Sequence, residues 1–204
     1  MSPLFAKTRE TTALYQTLLS DARLYRILAK LDEEIAADVK RRGCLYCGGD
    51  LHSARYRRKP RGLPPEAEDD FQFRASFCCD REGCRRRSTP PSVRFLGRKV
   101  FIGAAVVLVT ILRHGPTPAR LSRIRELTGA SARTVTRWRE WWQSVVPRSH
   151  WWSTARGFLR RPVSEEFLPA SLLEVFVMDD ARTGLAALLR FVSPLSVGFS
   201  SHSP

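Results

Sequence analysis

Residues 44–49 read Cys44-Leu-Tyr-Cys47-Gly-Gly, and residues 79–84 read Cys79-Asp-Arg-Glu-Gly-Cys84. A CxxC followed by glycines, and a CxxxxC with a glycine just before its last cysteine, each describe a tight turn that aims two thiolates at one ion. Cys44, Cys47, Cys79 and Cys84 are therefore the candidate ligands of a structural Zn²⁺. Four thiolates about 2.3 Å from a tetrahedral ion leave no open position for water, so such a site staples the chain and does not hydrolyse anything. Cys78 is the alternative to Cys79, since adjacent side chains in a strand point to opposite faces and only one can take part. Cys79 is preferred, with Cys78 as a small buried hydrophobe; His52 is a further alternative ligand that five cysteines make unnecessary.

All five cysteines fall within 41 residues, and the start MSPLFAKTRE lacks an apolar signal core. An odd count without a secretion signal points to metal binding in a reduced, cytoplasmic compartment rather than to a disulfide framework. Between the two cysteine pairs, residues 51–58 and 71–77 alternate as two short strands, with a Pro-rich acidic loop at 60–70. Two knuckles on hairpins with a long intervening loop describe a zinc ribbon over residues 43–99.

Downstream, residues 100–112 form the longest apolar run, 13 residues bounded by Arg98, Lys99 and Arg113. That is shorter than the roughly 20 residues a membrane-spanning helix needs, and a buried helix is predicted. After the break at Gly115-Pro-Thr-Pro118, residues 119–142 keep helical spacing. Leu121, Ile124 and Leu127 form one apolar stripe, and Val135 and Trp138 start a second. Gly129 supplies the positive φ that ends the first helix, while Ser131 is a natural N-cap for the next. The predicted second helix presents Arg133, Thr134, Thr136, Arg137 and Arg139 on faces not used for packing. A helix of this kind can lie in the major groove, with arginines on phosphates fixing register and Arg133, Thr134 and Arg137 reading bases. The five tryptophans recur at helical spacing and read as core and hinge packing rather than as stacking platforms.

The charge is placed where these motifs are. The chain of 204 residues has a net charge of +14. Residues 41–99 contribute +8 and residues 113–161 contribute +9, whereas residues 1–40 balance at zero and 162–204 come to −3. Arginine dominates both basic blocks, and its planar fork suits phosphate oxygens and guanine edges. Double-stranded DNA is the partner this implies; a generically basic solvated surface is the competing explanation.

Residues 124–138, IRELTGASARTVTRW, resemble bacterial helix-turn-helix cores of the form IAELTGVS followed by TVxRW, with Arg125 where that pattern has a small residue. Together with the two cysteine pairs and the tract CRRRSTPPSVRFLGRKVF at 84–101, the chain resembles the front end of bacterial insertion-sequence transposases and short transposase-associated proteins. The resemblance covers about residues 40–145. It implies DNA binding at an element's ends or a target, adds Arg85, Arg86 and Arg87 to the DNA-contacting set, and supplies no catalytic domain.

Residues 8–42 read as two helices, and the segment from 164 offers helical patches at 164–177 and 180–191 before a Ser/Pro-rich end. Asp179 and Asp180 look like a helix N-cap and first turn rather than part of a carboxylate triad. The expectation is a mostly α protein with a small β zinc ribbon and a helix-turn-helix bundle. Its parts are a helical pair (1–42), the ribbon (43–99), a helix-turn-helix domain (100–160) and a C-terminal extension (161–204). No catalytic residues or cofactor sites other than Zn²⁺ are expected. The alternatives are a transcriptional regulator, an RNA-binding ribbon protein using Phe71, Phe73 and Phe77, and one half of a two-chain transposase. A homodimer or a separate catalytic subunit would be the protein partner, and no membrane is involved.

Overall fold

The computed structural model describes residues 17–18, 21–58, 69–96, 100–110, 112 and 117–197. Most of the expected helix from residue 8, most of the loop at 60–70, Gly115 and Pro116 of the break and the Ser/Pro-rich end lie outside the described residues.

Helix α1 (Ala22–Arg42) is the spine. The Asp21 carboxylate caps it by accepting from the Arg23 N–H, and Lys40, Arg41 and Arg42 meet the negative end of its dipole. At 1.5 Å per residue its 21 residues span about 31 Å, long enough to reach all three apolar clusters of the described residues. Leu24 and Leu28 enter the main helical core, Tyr25 enters a second core, and Ala36 and Val39 near its end pack against the cysteine cluster.

The ribbon follows directly. Strand β1 (Leu51–Arg57) runs antiparallel to β2 (Phe73–Cys79), in register from Leu51 opposite Cys79 to Arg57 opposite Phe73. The two-residue strand β3 (Arg87–Ser88) adds to the other edge of β2, giving the order β1-β2-β3. The second strand lies two residues later than the expected 71–77. Phe71 sits instead in a 3₁₀ turn (Asp69–Gln72) with its ring buried 6.2 Å from that of Tyr25. Cys78 and Cys79 stay in the strand because His52 and Leu51 pair with them.

Strands β4 (Phe95–Leu96) and β5 (Val100–Phe101) form a small hairpin leading into α2 (Ile102–Thr110). Ala104 to Val109 are all buried, so α2 is a helix without a solvent face, as expected of an apolar run too short to cross a membrane. No helix among the described residues is long and apolar enough to cross a membrane.

Helices α3 (Pro118–Thr128) and α4 (Ala132–Glu140) pack on one side of α2, where Ile124, Ala130 and Val135 meet Ala104 and Leu108. Past Glu140 the chain loosens into a π-helical turn (Trp141–Val145), in which the Val146 N–H donates to the Trp141 carbonyl at 3.0 Å. Helix α5 (His150–Ala155) then leads to α6 (Ala170–Val175) and α7 (Ala181–Val192). These cover the other side of α2, where Val106 and Val107 meet Trp142, Trp152, Leu172 and Leu188. Trp142 and Trp152 are among the largest fully buried side chains, and Trp138, Trp141 and Trp151 pack half-buried around them. The segment after 161, read from sequence as an extension, therefore closes the main core. Asp180 caps α7, accepting from the Arg182 and Thr183 N–H groups. Helix α7 comes so close to the end of α6 that a Cβ on Gly184 would lie 2.3 Å from the Phe176 carbonyl oxygen.

A buried polar network ties ribbon to helices. Asp32 on α1 accepts from the Val93 N–H and the Ser92 hydroxyl, each at 2.6 Å, and pairs with Arg94 Nε at 2.8 Å. Arg94 also donates to the carbonyls of Phe71 and Phe73. Arg74 of β2 donates to the carbonyls of Pro90 and Ser196, and the Ser196 hydroxyl accepts from the Ser92 N–H. Every oxygen of the Asp32 carboxylate is hydrogen-bonded, the condition under which a charge can be kept out of water.

Candidate metal centre and nucleic-acid interface

The ligand atoms of Cys44, Cys47, Cys79 and Cys84 all lie within 4.8 Å of one another. The sulfurs of Cys44 and Cys84 are 3.7 Å apart, and those of Cys47 and Cys79 are 3.4 Å apart. A tetrahedron of thiolates around an ion with 2.3 Å bonds has edges of about 3.8 Å, so the donor set fits a four-coordinate, thiolate-binding metal. All five cysteines are free of disulfides. Among the described residues this is the one cluster of three or more His, Cys, Asp or Glu groups able to hold an ion.

Two turns build the site. In the first, the Cys44 N–H donates to the Gly49 carbonyl and the Gly48 N–H to the Cys44 carbonyl, both at 2.8 Å. In the second, the Cys84 N–H donates to Arg81 and the Cys79 N–H to Arg86, closing a loop from the end of β2 to the start of β3. Gly48 and Gly83 hold positive φ (69° and 82°), the left-handed geometry each turn needs before it returns the chain. Arg81 braces one turn on the other by donating to the Cys47 carbonyl at 2.9 Å.

Strand alternation separates the two adjacent cysteines. Cys79 lies opposite Leu51 and is fully buried beside Phe77, whereas Cys78 lies opposite His52 on the other face. The Cys78 thiol is half-buried rather than buried, and contacts the Cys79 and Arg85 carbonyl oxygens, outside the cluster. His52 is exposed on that same face and is no part of it.

Local structure also tunes the thiols. The backbone N–H of Tyr46 donates to the Cys44 sulfur and brings its pKa down to about 7. Burial pushes the Cys79 thiol up to about 12. One ligand is thus poised to lose its proton near neutrality, while the other would give up its proton only to an incoming cation.

The basic helical face is carried by α3, α4 and their connection, residues 129–131. Gly129 caps α3 in the left-handed conformation (φ 63°), and the Ser131 hydroxyl accepts from the Thr134 N–H at 3.3 Å. Ile124, Ala130 and Val135 are buried, and Trp138 packs half-buried against them. Opposite that seam, Arg133, Thr136, Arg137 and Glu140 are exposed at helical spacing on a single outward stripe. Thr134 is half-buried, with its hydroxyl 3.0 Å from that of Ser131, so Thr136 and not Thr134 takes the outward place between the arginines. Arg139 is half-buried and lines a small cavity with Gln143 and Glu166. Arg125 is exposed and lines an open groove with Gly129, Ser131 and Ala132.

Arg85, Arg86 and Arg87 are exposed at the second knuckle and its return strand, away from α4 in sequence but next to the cysteine cluster. Sequence reading missed the Asp32–Arg94 pair and Arg74. Their one legible signal is Asp32 itself, which falls four residues after Leu28 and eight after Leu24, on the buried stripe of α1. An acid in that position demands a cation. No family model, curated protein or solved structure matches this chain.

Proposed function

We propose that this chain is a sequence-specific binder of duplex DNA, stapled by one structural Zn²⁺ on Cys44, Cys47, Cys79 and Cys84. In this reading it belongs with mobile-element proteins that carry no catalytic domain of their own. The observation that carries the reading is the outward stripe Arg133, Thr136, Arg137 on α4, held by a buried seam and a capped turn, in a chain of net charge +14. Laid in the major groove as the second helix of a helix-turn-helix, α4 would present both arginines to guanine edges or phosphates and Thr136 between them. The α4 N-terminus adds a partial positive charge beside Arg125 and Ser131. Zinc is favoured because a closed, all-thiolate tetrahedral set suits it and leaves no catalytic position. A transcriptional regulator would use the same residues.

The RNA-binding alternative draws less support. It needs Phe71, Phe73 and Phe77 as exposed platforms. Phe71 and Phe77 are buried, and the Arg55 guanidinium lies 4.6 Å from the Phe73 ring centroid.

The test is an electrophoretic shift of zinc-loaded protein on duplex DNA across a salt series. Binding that weakens steeply with salt, and weakens again in the Arg133→Ala and Arg137→Ala variants, supports the reading. Zinc-replete protein that ignores duplex DNA at low salt overturns it.

A further inference from the structure

At the ribbon tip, the two residues between Cys44 and Cys47 are turned into solvent. Leu45 is 84% exposed and Tyr46 is 57% exposed. An apolar and an aromatic side chain left outside, on a turn whose backbone both cysteines lock, contribute nothing to the core. The Arg86 guanidinium lies 4.1 Å from the Tyr46 ring centroid, so the arginine covers part of the ring while most of the residue stays open. Arg81 and Arg85 are exposed in the adjoining turn, and Arg87 follows on β3 opposite Cys78, giving four arginines within seven residues at one end of the molecule. Arg85 is held at a φ of 43°, a backbone conformation that L side chains rarely take.

A rigid exposed ring stacked on a guanidinium and rimmed by cations has the chemistry of a single-stranded nucleic-acid platform, where bases stack on aromatics and arginines track the phosphates. A protein partner would have to match four cations with a small apolar tip, whereas one nucleotide with its flanking phosphates matches both parts at once. We propose that this knuckle tip is a second DNA contact, in which Tyr46 and Arg86 hold an unpaired base and Arg81 and Arg85 hold the adjacent phosphates. This rests on the reading of the chain as a DNA-binding protein and adds to it a preference for DNA with a single-stranded end or opened pair. Ribbon and α4 are linked through α1, where Tyr25 and Val39 are about 21 Å apart along the axis, so the two contacts would fall on different parts of one DNA.

The test uses full-length, zinc-loaded protein and three probes: a blunt duplex, the same duplex with a short single-stranded DNA tail, and the tail alone, with 2-aminopurine in the tail. Wild-type protein should bind the tailed duplex more tightly than the blunt one and quench the 2-aminopurine. Tyr46→Ala and Tyr46→Leu should lose about tenfold in affinity for tailed DNA, and the quenching, while binding blunt duplex as before. Tyr46→Phe should retain both, and zinc content measured on each variant shows that the knuckle is intact. Tailed-DNA binding that is unchanged in a zinc-replete Tyr46→Leu protein overturns the proposal. If the tail is bound through Tyr46 but blunt duplex is not bound at all, the tip stands and the α4 reading falls; the reverse pattern sinks the tip alone.

Discussion

The ribbon and the α3–α4 pair are both small, basic and exposed, yet they are held by different physics. The ribbon's own apolar cluster is little more than Leu51 and Phe77 with the cysteines, against Ala36 and Val39 of α1. The helix pair sinks Ile124, Ala130 and Val135 into a core shared with α2, α1 and Phe71. A segment that buries so little surface depends on a further staple, which a metal on the four thiolates would supply; where burial is ample, ordinary packing suffices. The metal site and the proposed groove-reading helix can therefore be perturbed separately, except through what they share, α1 and the Asp32 network.

Metal removal should have the largest effect and fall on one side only. Structural zinc contributes on the order of 10–16 kcal/mol of apparent binding energy in small sites. Chelation, or Cys79→Ser, should abolish amide protection in β1 and β2 while α2, α4 and α7 keep theirs, as read by hydrogen exchange. Loss of protection everywhere would show that the two regions fold as one unit. The same contrast has a pH form. Protons compete with metal for all four thiolates, so zinc retention should fall as the pH is lowered, followed by a zinc-sensitive dye. Tryptophan emission from the helical core should stay constant over that range.

Next in size is a change that should damage both regions together. Asp32→Ala removes the acceptor of the Val93 N–H and of the Ser92 hydroxyl and strands Arg94 in a buried site. Breaking such a pair costs roughly 3–5 kcal/mol, and urea unfolding should report it. A loss below about 1 kcal/mol would mean that ribbon and helices are tied by packing alone.

Ile124→Ala should act on the helix pair with little effect on the metal. Truncating this fully buried side chain costs roughly 2–5 kcal/mol, so thermal melting should drop while zinc stoichiometry stays at one. The smallest effect belongs to Ser131→Ala, which removes the α4 N-cap at a cost of about 1 kcal/mol. It should weaken duplex binding more than it lowers the melting point, because the first turn of α4 would fray at the proposed DNA contact.

Much of this was legible beforehand because it is local. The spacing of Cys44 with Cys47 and of Cys79 with Cys84 describes the two turns; Gly129 and Ser131 mark where α3 ends and α4 begins; and the unbroken apolar run predicts a helix buried on all sides. The choice between Cys78 and Cys79 needed one further fact, the register with Leu51 and His52, since alternation decides only which cysteines share a face. The second strand was misplaced because Phe71, Phe73 and Phe77 alternate like a strand, while Phe71 is in fact drawn out of the sheet to meet Tyr25.

From sequence alone came the mostly helical class, the cysteine set, the place of the basic blocks and the caps at Gly129, Ser131 and Asp180, because these follow from dihedral preference, ligand spacing and periodicity over a few residues. Only the tertiary structure decided that the segment after 161 closes the main core. The same holds for Asp32, which meets Ser92 and Arg94 some sixty residues away. Contacts between distant segments depend on which faces remain after every local element has formed, and that is a property of the assembled chain.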